Sequence, residues 1–270
     1  AAAAFELGDM DPDKYQPLYG GCAHVRTTGV WLKEKQARRH NKMHLRRAYG
    51  KSCNGFFAKV AVNELGLGII TDFARRFGWE TGFPTDFNLA KSPIRAPSPR
   101  YASAHTVGRY AAGFGYVGIS SVHAAWMMQA IANKGLVKPM LLFADTPLRG
   151  NDQYTERLFR PDTADRLIDI MDATVRGGTA SFAFRRGKTR RIRNDVGGKT
   201  GTLTGRSPQG LTTWFAGMMP LDQPEIVVAA VAVLGTDLWY IKGPNLAAEA
   251  LWKYKDIKRQ RTLAKKDSTN

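Results

Sequence analysis

The stretch "NDVGGKTGTLTG" at positions 194–205 opens a run of three extended segments in this 270-residue sequence. The two segments that follow, "LTTWFAGMMP" (211–220) and "EIVVAAVAV" (225–233), are rich in β-branched, aromatic and small apolar residues, which are typical of strands. The connections between the three segments are short, and short connections favour antiparallel neighbours. The last third of the chain is therefore predicted to contain a three-stranded antiparallel sheet.

Helical patterns surround this sheet in the sequence. "SSVHAAWMMQAIANKG" (120–135) combines a serine cap, an apolar face and a terminal glycine, and 160–178 has Pro161 in its first turn. The shorter pattern at 71–79 offers Thr71 or Asp72 as an N-cap. We predict helices at 46–65, 71–79, 120–135, 160–178 and 245–254, and a long loop at 81–113. The fold class that follows is α/β of the α+β type, an antiparallel sheet flanked by helices.

The composition limits the classes of function. The formal net charge is +17 and the positive residues are concentrated at 31–47, 185–193 and 253–266. None of these segments has an RNA-recognition, zinc-finger or leucine-zipper pattern, so we expect solvated basic surfaces and no nucleic-acid partner. No run of about 18 apolar residues is present, so no membrane-spanning helix is predicted.

The two cysteines, Cys22 and Cys53, are 31 residues apart. Because spacing alone does not show whether two Cβ atoms converge, a disulfide is possible in an oxidising compartment, but unbridged thiols are expected. No His or Cys spacing indicates a metal site, and no cofactor is expected.

Two short polar motifs are the candidates for chemistry. Ser52-Cys-Asn54 precedes an apolar helical run, and Lys199-Thr-Gly lies on the first predicted strand behind two glycines. Each has a structural alternative: the serine as a helix N-cap, the asparagine as a turn residue, and the lysine as a solvated strand side chain. Glycines within a strand are often kept where a ligand approaches the backbone.

Taken in order, Ser52-Cys-Asn54 and Lys199-Thr-Gly-Thr202 resemble the second and third motifs of the penicillin-binding transpeptidases. Supporting segments are similar as well: the glycine-rich turn and helix at 113–135, "VRGGTA" at 175–180 and "WFAGMMP" at 214–220. The resemblance implies a transpeptidase domain over residues 1–255, followed by a flexible basic tail at 256–270.

The resemblance also implies a fold and a reaction. The fold would be β-lactamase/transpeptidase-like, and the reaction a D,D-transpeptidation that cross-links peptidoglycan stem peptides through a serine acyl-enzyme. Ser52 would relay a proton, Asn54 would orient the substrate backbone, and Lys199 would place a positive charge near the substrate carboxylate. Substrate binding would fall to Thr200, Gly201 and Thr202. The hydroxyl of Ser52 and the ammonium of Lys199 must then meet in one pocket.

Further expectations concern the setting of the domain. The partners would be the stem peptide and β-lactam antibiotics as covalent inhibitors, at the periplasmic or extracytoplasmic face of the bacterial membrane. The membrane itself would be reached only through an N-terminal anchor absent from this chain.

The family's first motif, Ser-x-x-Lys, is the point of departure, since no lysine here has a serine three positions before it. We therefore expect the nucleophile upstream of residue 1, a chain inactive by itself, and absent N-terminal strands that leave an exposed sheet edge and low stability. The alternatives are a non-catalytic penicillin-binding relative, such as a cell-wall scaffold or β-lactam sensor, and a basic nucleic-acid-binding protein.

Overall fold

The computed structural model describes residues 1–8, 10–23, 25–33, 42–206, 209–235 and 241–267. The helices are α1 (Ala2–Leu7), α2 (Leu45–Gly50), α3 (Asn54–Val60), α4 (Gly66–Arg76), α5 (Ala104–Ala111), α6 (Ser121–Ala132), α7 (Pro161–Arg176) and α8 (Gly243–Asp267). The strands are β1 (Gln16–Pro17), β2 (Lys42–Met43), β3 (Leu136–Val137), β4 (Glu156–Arg157), β5 (Gly197–Arg206), β6 (Gln209–Met219) and β7 (Ile226–Leu234).

The central sheet has the predicted antiparallel arrangement, in the order β5-β6-β7. Alternate residues of β6 point to opposite faces, as the two-residue period of a strand requires. Phe215 and Met219 pack into a core with α8, whereas Ala216 and Met218 pack into the larger core that contains α6 and α7. The sheet therefore separates two apolar cores, with helices on both sides, and the predicted fold class is confirmed.

Helices α6 and α7, which pack on the sheet, begin as the sequence predicted. The Ser120 hydroxyl accepts a hydrogen bond from the backbone N–H of His123 at 3.1 Å, which caps α6. Pro161 occupies the first turn of α7, where its missing N–H leaves no hydrogen bond unmade. These two predictions are confirmed.

The boundaries of four other elements differ from the predictions. The helix predicted at 46–65 is interrupted at 51–53, so α2 ends at Gly50 and α3 begins at Asn54. Helix α4 begins at Gly66, not at 71, and the Thr71 hydroxyl donates to the carbonyl of Leu67 at 2.9 Å instead of capping a helix start. The predicted loop at 81–113 contains α5, whose N-terminus is capped by Ser103. Helix α8 does not end near residue 254 but continues to Asp267, across the predicted start of the tail; residues 268–270 lie outside the described part.

The prediction of unbridged cysteines is wrong. Cys22 and Cys53 form a disulfide with their Cα atoms 4.4 Å apart, and Cys53 is fully buried. The fold brings together two segments that are 31 positions apart in the sequence, and this contact cannot be read from the spacing alone. None of the described helices is both long enough and apolar enough to span a bilayer. Of the basic segment at 31–47, residues 34–41 lie outside the described part.

Candidate active site

Ser52 lies in the turn that ends α2. The backbone N–H of Ser52 donates to Tyr49 and that of Cys53 donates to Ala48, at 3.0 and 2.8 Å, which is the paired pattern that closes a helix C-terminus. Ser52 has φ of 53°, a left-handed conformation usually taken by glycine at this position. It is therefore not a helix N-cap: Cys53 is the N-cap residue of α3, and its side chain makes no capping hydrogen bond.

Lys199 reaches this turn from β5. Its ammonium donates to the Ser52 hydroxyl oxygen at 2.7 Å and to the carbonyl of Thr200 at 3.0 Å. The ammonium also lies 5.8 Å from the centre of the Tyr49 ring. The two side chains that the sequence placed 147 residues apart therefore meet directly.

Burial sets the protonation of this pair. It lowers the pKa of Lys199 to about 8, because an ammonium loses hydration inside the protein. Among the described residues, no carboxylate forms an ion pair with Lys199 that would offset this loss. Burial also raises the pKa of Tyr49 above its usual range, so its hydroxyl stays neutral. Lys199 is thus a cation close to its deprotonation point at neutral pH.

Asn54 is the first residue of α3, and the disulfide fixes the loop that it contacts. Its side-chain amide donates to the carbonyl of Ala23 at 3.3 Å, next to the bridged Cys22. The backbone N–H of Gly55 donates to the carbonyl of Cys22 at 3.2 Å. The bridge through Cys53 therefore holds the residue between Ser52 and Asn54 against a separate segment of the chain.

Thr179 connects the turn that carries Ser52 to the strand that carries Lys199. Its backbone N–H donates to the carbonyl of Gly50 at 3.0 Å, and its hydroxyl is hydrogen-bonded to the Thr200 hydroxyl. Thr179 belongs to the "VRGGTA" segment of the family resemblance, but no site role is predicted for it from the sequence. Its contacts make it a structural link across the site.

These residues line a cleft of about 760 Å³. All six predicted site residues reach it: Ser52, Asn54, Lys199, Thr200, Gly201 and Thr202. Several other lining residues belong to no predicted site motif; these include Tyr49, Phe114, Thr179, Phe182, Trp214 and Lys242.

The charged side chains that line the cleft are positive. Among the described residues that line the cleft, the charged side chains are Lys199 and Lys242, and no Asp or Glu is present. Thr200 and Thr202 add hydroxyl donors on the same strand. The cleft therefore favours an anionic group, and carboxylates are bound well by ammonium and hydroxyl donors.

The backbone of β5, the strand that borders the cleft, is also available for hydrogen bonds with a ligand. In the described part of the chain, β5 pairs with β6 along one side and with no strand along its other side. An extended peptide can add to such an edge through backbone hydrogen bonds. No group of three or more His, Cys, Asp or Glu side chains that would suit a metal ion occurs among the described residues.

A family model described as "Penicillin binding protein transpeptidase domain" matches residues 1–248. The chain is 30% identical over 81 residues to a "Peptidoglycan D,D-transpeptidase FtsI homolog" from Mesostigma viride, a match that covers 28% of this chain and 12% of that protein.

Two solved structures show the same fold. A peptidoglycan glycosyltransferase from Burkholderia ambifaria is 22% identical with a TM-score of 0.71, covering 95% of this chain and 76% of that one. The imipenem acyl-enzyme complex of penicillin-binding protein A from M. tuberculosis is 22% identical with a TM-score of 0.67, covering 94% of this chain and 57% of that one. The chain thus spans only part of each relative.

Proposed function

The chain belongs to the penicillin-binding protein transpeptidase domain family, and on that premise we propose that it forms the substrate-binding and proton-relay side of a peptidoglycan D,D-transpeptidase site. The observation that carries this proposal is the 2.7 Å contact between the Lys199 ammonium and the Ser52 hydroxyl, beside the edge of β5, in a cleft whose described lining residues include no acidic side chain. The substrate is a stem peptide that ends in D-alanyl-D-alanine.

The substrate lies in the cleft as an extended strand along β5. Its terminal carboxylate is held by the charge of Lys199 and by the hydroxyls of Thr200 and Thr202, and the Asn54 amide orients its backbone. The backbone N–H of Thr202 donates to the oxyanion that develops at the attacked carbonyl; removing one such donor in other enzymes costs roughly 10²–10³ in rate.

The proposed reaction is acyl transfer in two steps. A serine oxygen bonds to the penultimate D-alanine carbonyl carbon, the C–N bond to the last D-alanine breaks, and the departing amine takes a proton through Ser52. An amine of a second peptide then attacks the ester, and the serine oxygen leaves with a proton. The 270 residues contain no Ser-x-x-Lys sequence, so the acylating serine is not assigned to a residue of this chain.

The disulfide supports an extracytoplasmic setting, because disulfides persist in oxidising compartments and are rare in the cytosol. Peptidoglycan cross-linking takes place in that setting. β-Lactams, which form an acyl-enzyme with the related protein from M. tuberculosis, are the expected inhibitors of the complete site.

The test is a binding cycle with this chain and two N-acetylated fluorescent peptides, one ending in D-Ala-D-Ala carboxylate and the other in the matching amide. The wild type should prefer the carboxylate by about tenfold, since a charge-assisted hydrogen bond contributes about 1.5 kcal/mol or more. Lys199→Gln should remove that preference, whereas Lys138→Gln, an exposed charge outside the cleft, should keep it. Equal preference in wild type and Lys199→Gln would refute the proposed carboxylate site.

Acyl transfer has its own test. A fluorescent penicillin should label a polypeptide that carries a Ser-x-x-Lys segment ahead of this domain, and the label should map to that serine. A label on Ser52 instead would contradict the relay role. Peptide binding without any label would favour the non-catalytic penicillin-binding alternative.

A further inference from the structure

A rigid platform lies beside the mouth of the cleft, formed by two short 3₁₀ helices, Ser181–Phe184 and Lys188–Ile192. Phe184 and Ile192 are fully buried in the core beneath α8, which anchors both helices. The hydroxyl of Thr189 bonds to the carbonyls of Ala183 and Arg186, at 2.8 and 3.1 Å, so it ties the connecting turn to both helices. The backbone of this segment is therefore held in place.

Four arginines, Arg185, Arg186, Arg190 and Arg191, project from this backbone; we call them the arginine platform. All four are exposed. Within the described part of the chain no carboxylate forms an ion pair with any of them, and Arg185 has only a 3.5 Å contact to the Ser181 hydroxyl.

Two acidic side chains that contact or follow this segment form ion pairs with other cations. Glu249 pairs with Lys188 at 2.6 Å, and Asp195 pairs with Lys255 at 2.5 Å. Lys188 lies within the platform segment itself, 4.3 Å from the centre of the Trp252 ring, so its charge is directed toward α8. The arginine platform is thus left as a patch of uncompensated positive charge.

The positive charges of the arginine platform repel one another. Like charges within a Debye length of about 8 Å repel one another at physiological salt, and a fixed backbone prevents them from spreading apart. A bound polyanion would turn this repulsion into attraction and release counterions. Because the backbone of the platform is already held in place, binding would not require a loop to become ordered, and the entropy cost would be confined to the arginine side chains.

The platform also lies next to the cleft. Phe182, in the first of the two 3₁₀ helices, lines the cleft, and the Lys242 ammonium lies 5.4 Å from the centre of its ring. Arg185 follows three residues later. A chain-like ligand could therefore run from the cleft mouth onto the platform.

We propose that the arginine platform binds a linear phosphate-bearing polymer next to the cleft. Arginines occur as two adjacent pairs, 185–186 and 190–191, and two guanidinium groups can each donate bidentate hydrogen bonds to one tetrahedral phosphate. Phe184 and Ile192 are buried, and Phe182, which is 41% exposed, lines the cleft, so insertion into a bilayer would depend on a single aromatic side chain, which argues against a lipid surface. This function is separate from the proposed peptide site.

The probe is fluorescein-labelled inorganic polyphosphate of about thirty phosphate units. The protein is titrated into it, and binding is followed by fluorescence anisotropy at several salt concentrations. Replacing the four platform arginines by glutamine should weaken binding at least about tenfold at 150 mM salt and lower the salt slope by about three, one unit or slightly less per lost contact. The matched control replaces Arg259, Arg261, Lys265 and Lys266 of α8 by glutamine, which removes the same charge and should weaken binding less than about threefold.

A second variant guards against misfolding. Replacing all four platform arginines by lysine keeps the charge but removes the planar donor fork, and should weaken binding by about two- to fivefold. The D-Ala-D-Ala peptide should bind all variants as it binds the wild type, so failure of the platform and failure of the peptide site remain distinguishable.

Three outcomes would overturn the proposal. Equal losses in the platform and α8 variants would mean that net charge alone drives binding. Equal affinity for poly-glutamate of matched length would remove the specificity for phosphate. Tighter binding to phosphatidylglycerol vesicles than to polyphosphate at equal phosphate concentration, lost in the platform variant, would assign the surface to a membrane instead.

Discussion

The disulfide between Cys22 and Cys53 should contribute a measurable part of the stability. It closes a loop of 31 residues. Because the closed loop lowers the conformational entropy of the unfolded chain, a loop of that length stabilises the folded state by about 3.7 kcal/mol at 25 °C. For a domain of this length, the same free energy corresponds to about 6 °C in the unfolding temperature. Reduction should therefore lower Tm by about that amount.

The assay is calorimetry or circular dichroism of the same preparation with and without a phosphine reductant. The reductant should lower the Tm of the wild type but leave the Cys22→Ala/Cys53→Ala variant unchanged. Because Cys53 is fully buried, the double variant should be slightly less stable than the reduced wild type, since it also loses the buried sulfur atom at that position.

A second measurement separates stability from positioning. The bridge holds the loop whose Ala23 carbonyl accepts the hydrogen bond from Asn54, so the reduced protein should bind the D-Ala-D-Ala peptide several-fold more weakly at a temperature where it is still folded. An unchanged Tm on reduction would refute the entropic argument. A lowered Tm with unchanged peptide affinity would refute only the positioning role of the bridge.

The other predictions concern the protonation and the backbone of the site. Since burial places the pKa of Lys199 at about 8, the ammonium is lost as the pH rises through 8, and affinity for the carboxylate peptide should fall above that pH by about tenfold in all, which is the contribution assigned to this charge. In Lys199→Arg, titration calorimetry should show a flat profile over the same range. Ser52→Gly should be more stable than Ser52→Ala by about 1 kcal/mol in urea unfolding, because φ of 53° suits glycine, and equal stability of the two variants would argue against that conformation. Gly178→Ala should lower the free energy of unfolding by about 1–3 kcal/mol or more, because a Cβ there would lie 2.1 Å from the Gly50 carbonyl oxygen. Gly177→Ala should leave the free energy of unfolding almost unchanged, because a Cβ at that position has no atom within 4 Å. Similar losses in both variants would refute the close approach of Gly178 to Gly50.

Much of the fold was predictable because it depends on local patterns. The three strands are marked by apolar runs with short connections, and α6 and α7 carry their own start signals, Ser120 and Pro161. The errors arose where local signals compete with tertiary packing. Thr71 or Asp72 was expected to begin the next helix, yet α4 begins at Gly66 and continues through Gly68 because its apolar face, including Phe73, is buried in the main core.

The candidate site was predictable only in part, for a related reason. Short polar motifs identified Ser52 and Lys199, but nothing local to either residue shows that they meet. Phe182 and Lys242 line the cleft because of tertiary packing, and their surroundings in the sequence contain no motif that would indicate it. The bridge from Cys22 to Cys53 was missed because only the fold brings the two sulfur atoms together.

The site depends on how firmly its two halves are joined, since the Ser52 hydroxyl belongs to a helix-ending turn and the Lys199 ammonium to an edge strand. Thr179 contacts the Gly50 carbonyl of the first half and the Thr200 hydroxyl of the second, so it spans the junction. Gly178 permits this span, because any side chain there would strike Gly50. The backbone around Thr179 thus determines whether the hydroxyl and the ammonium stay within bonding distance. Loosening it should therefore weaken peptide binding even where every side chain that touches the peptide is unchanged.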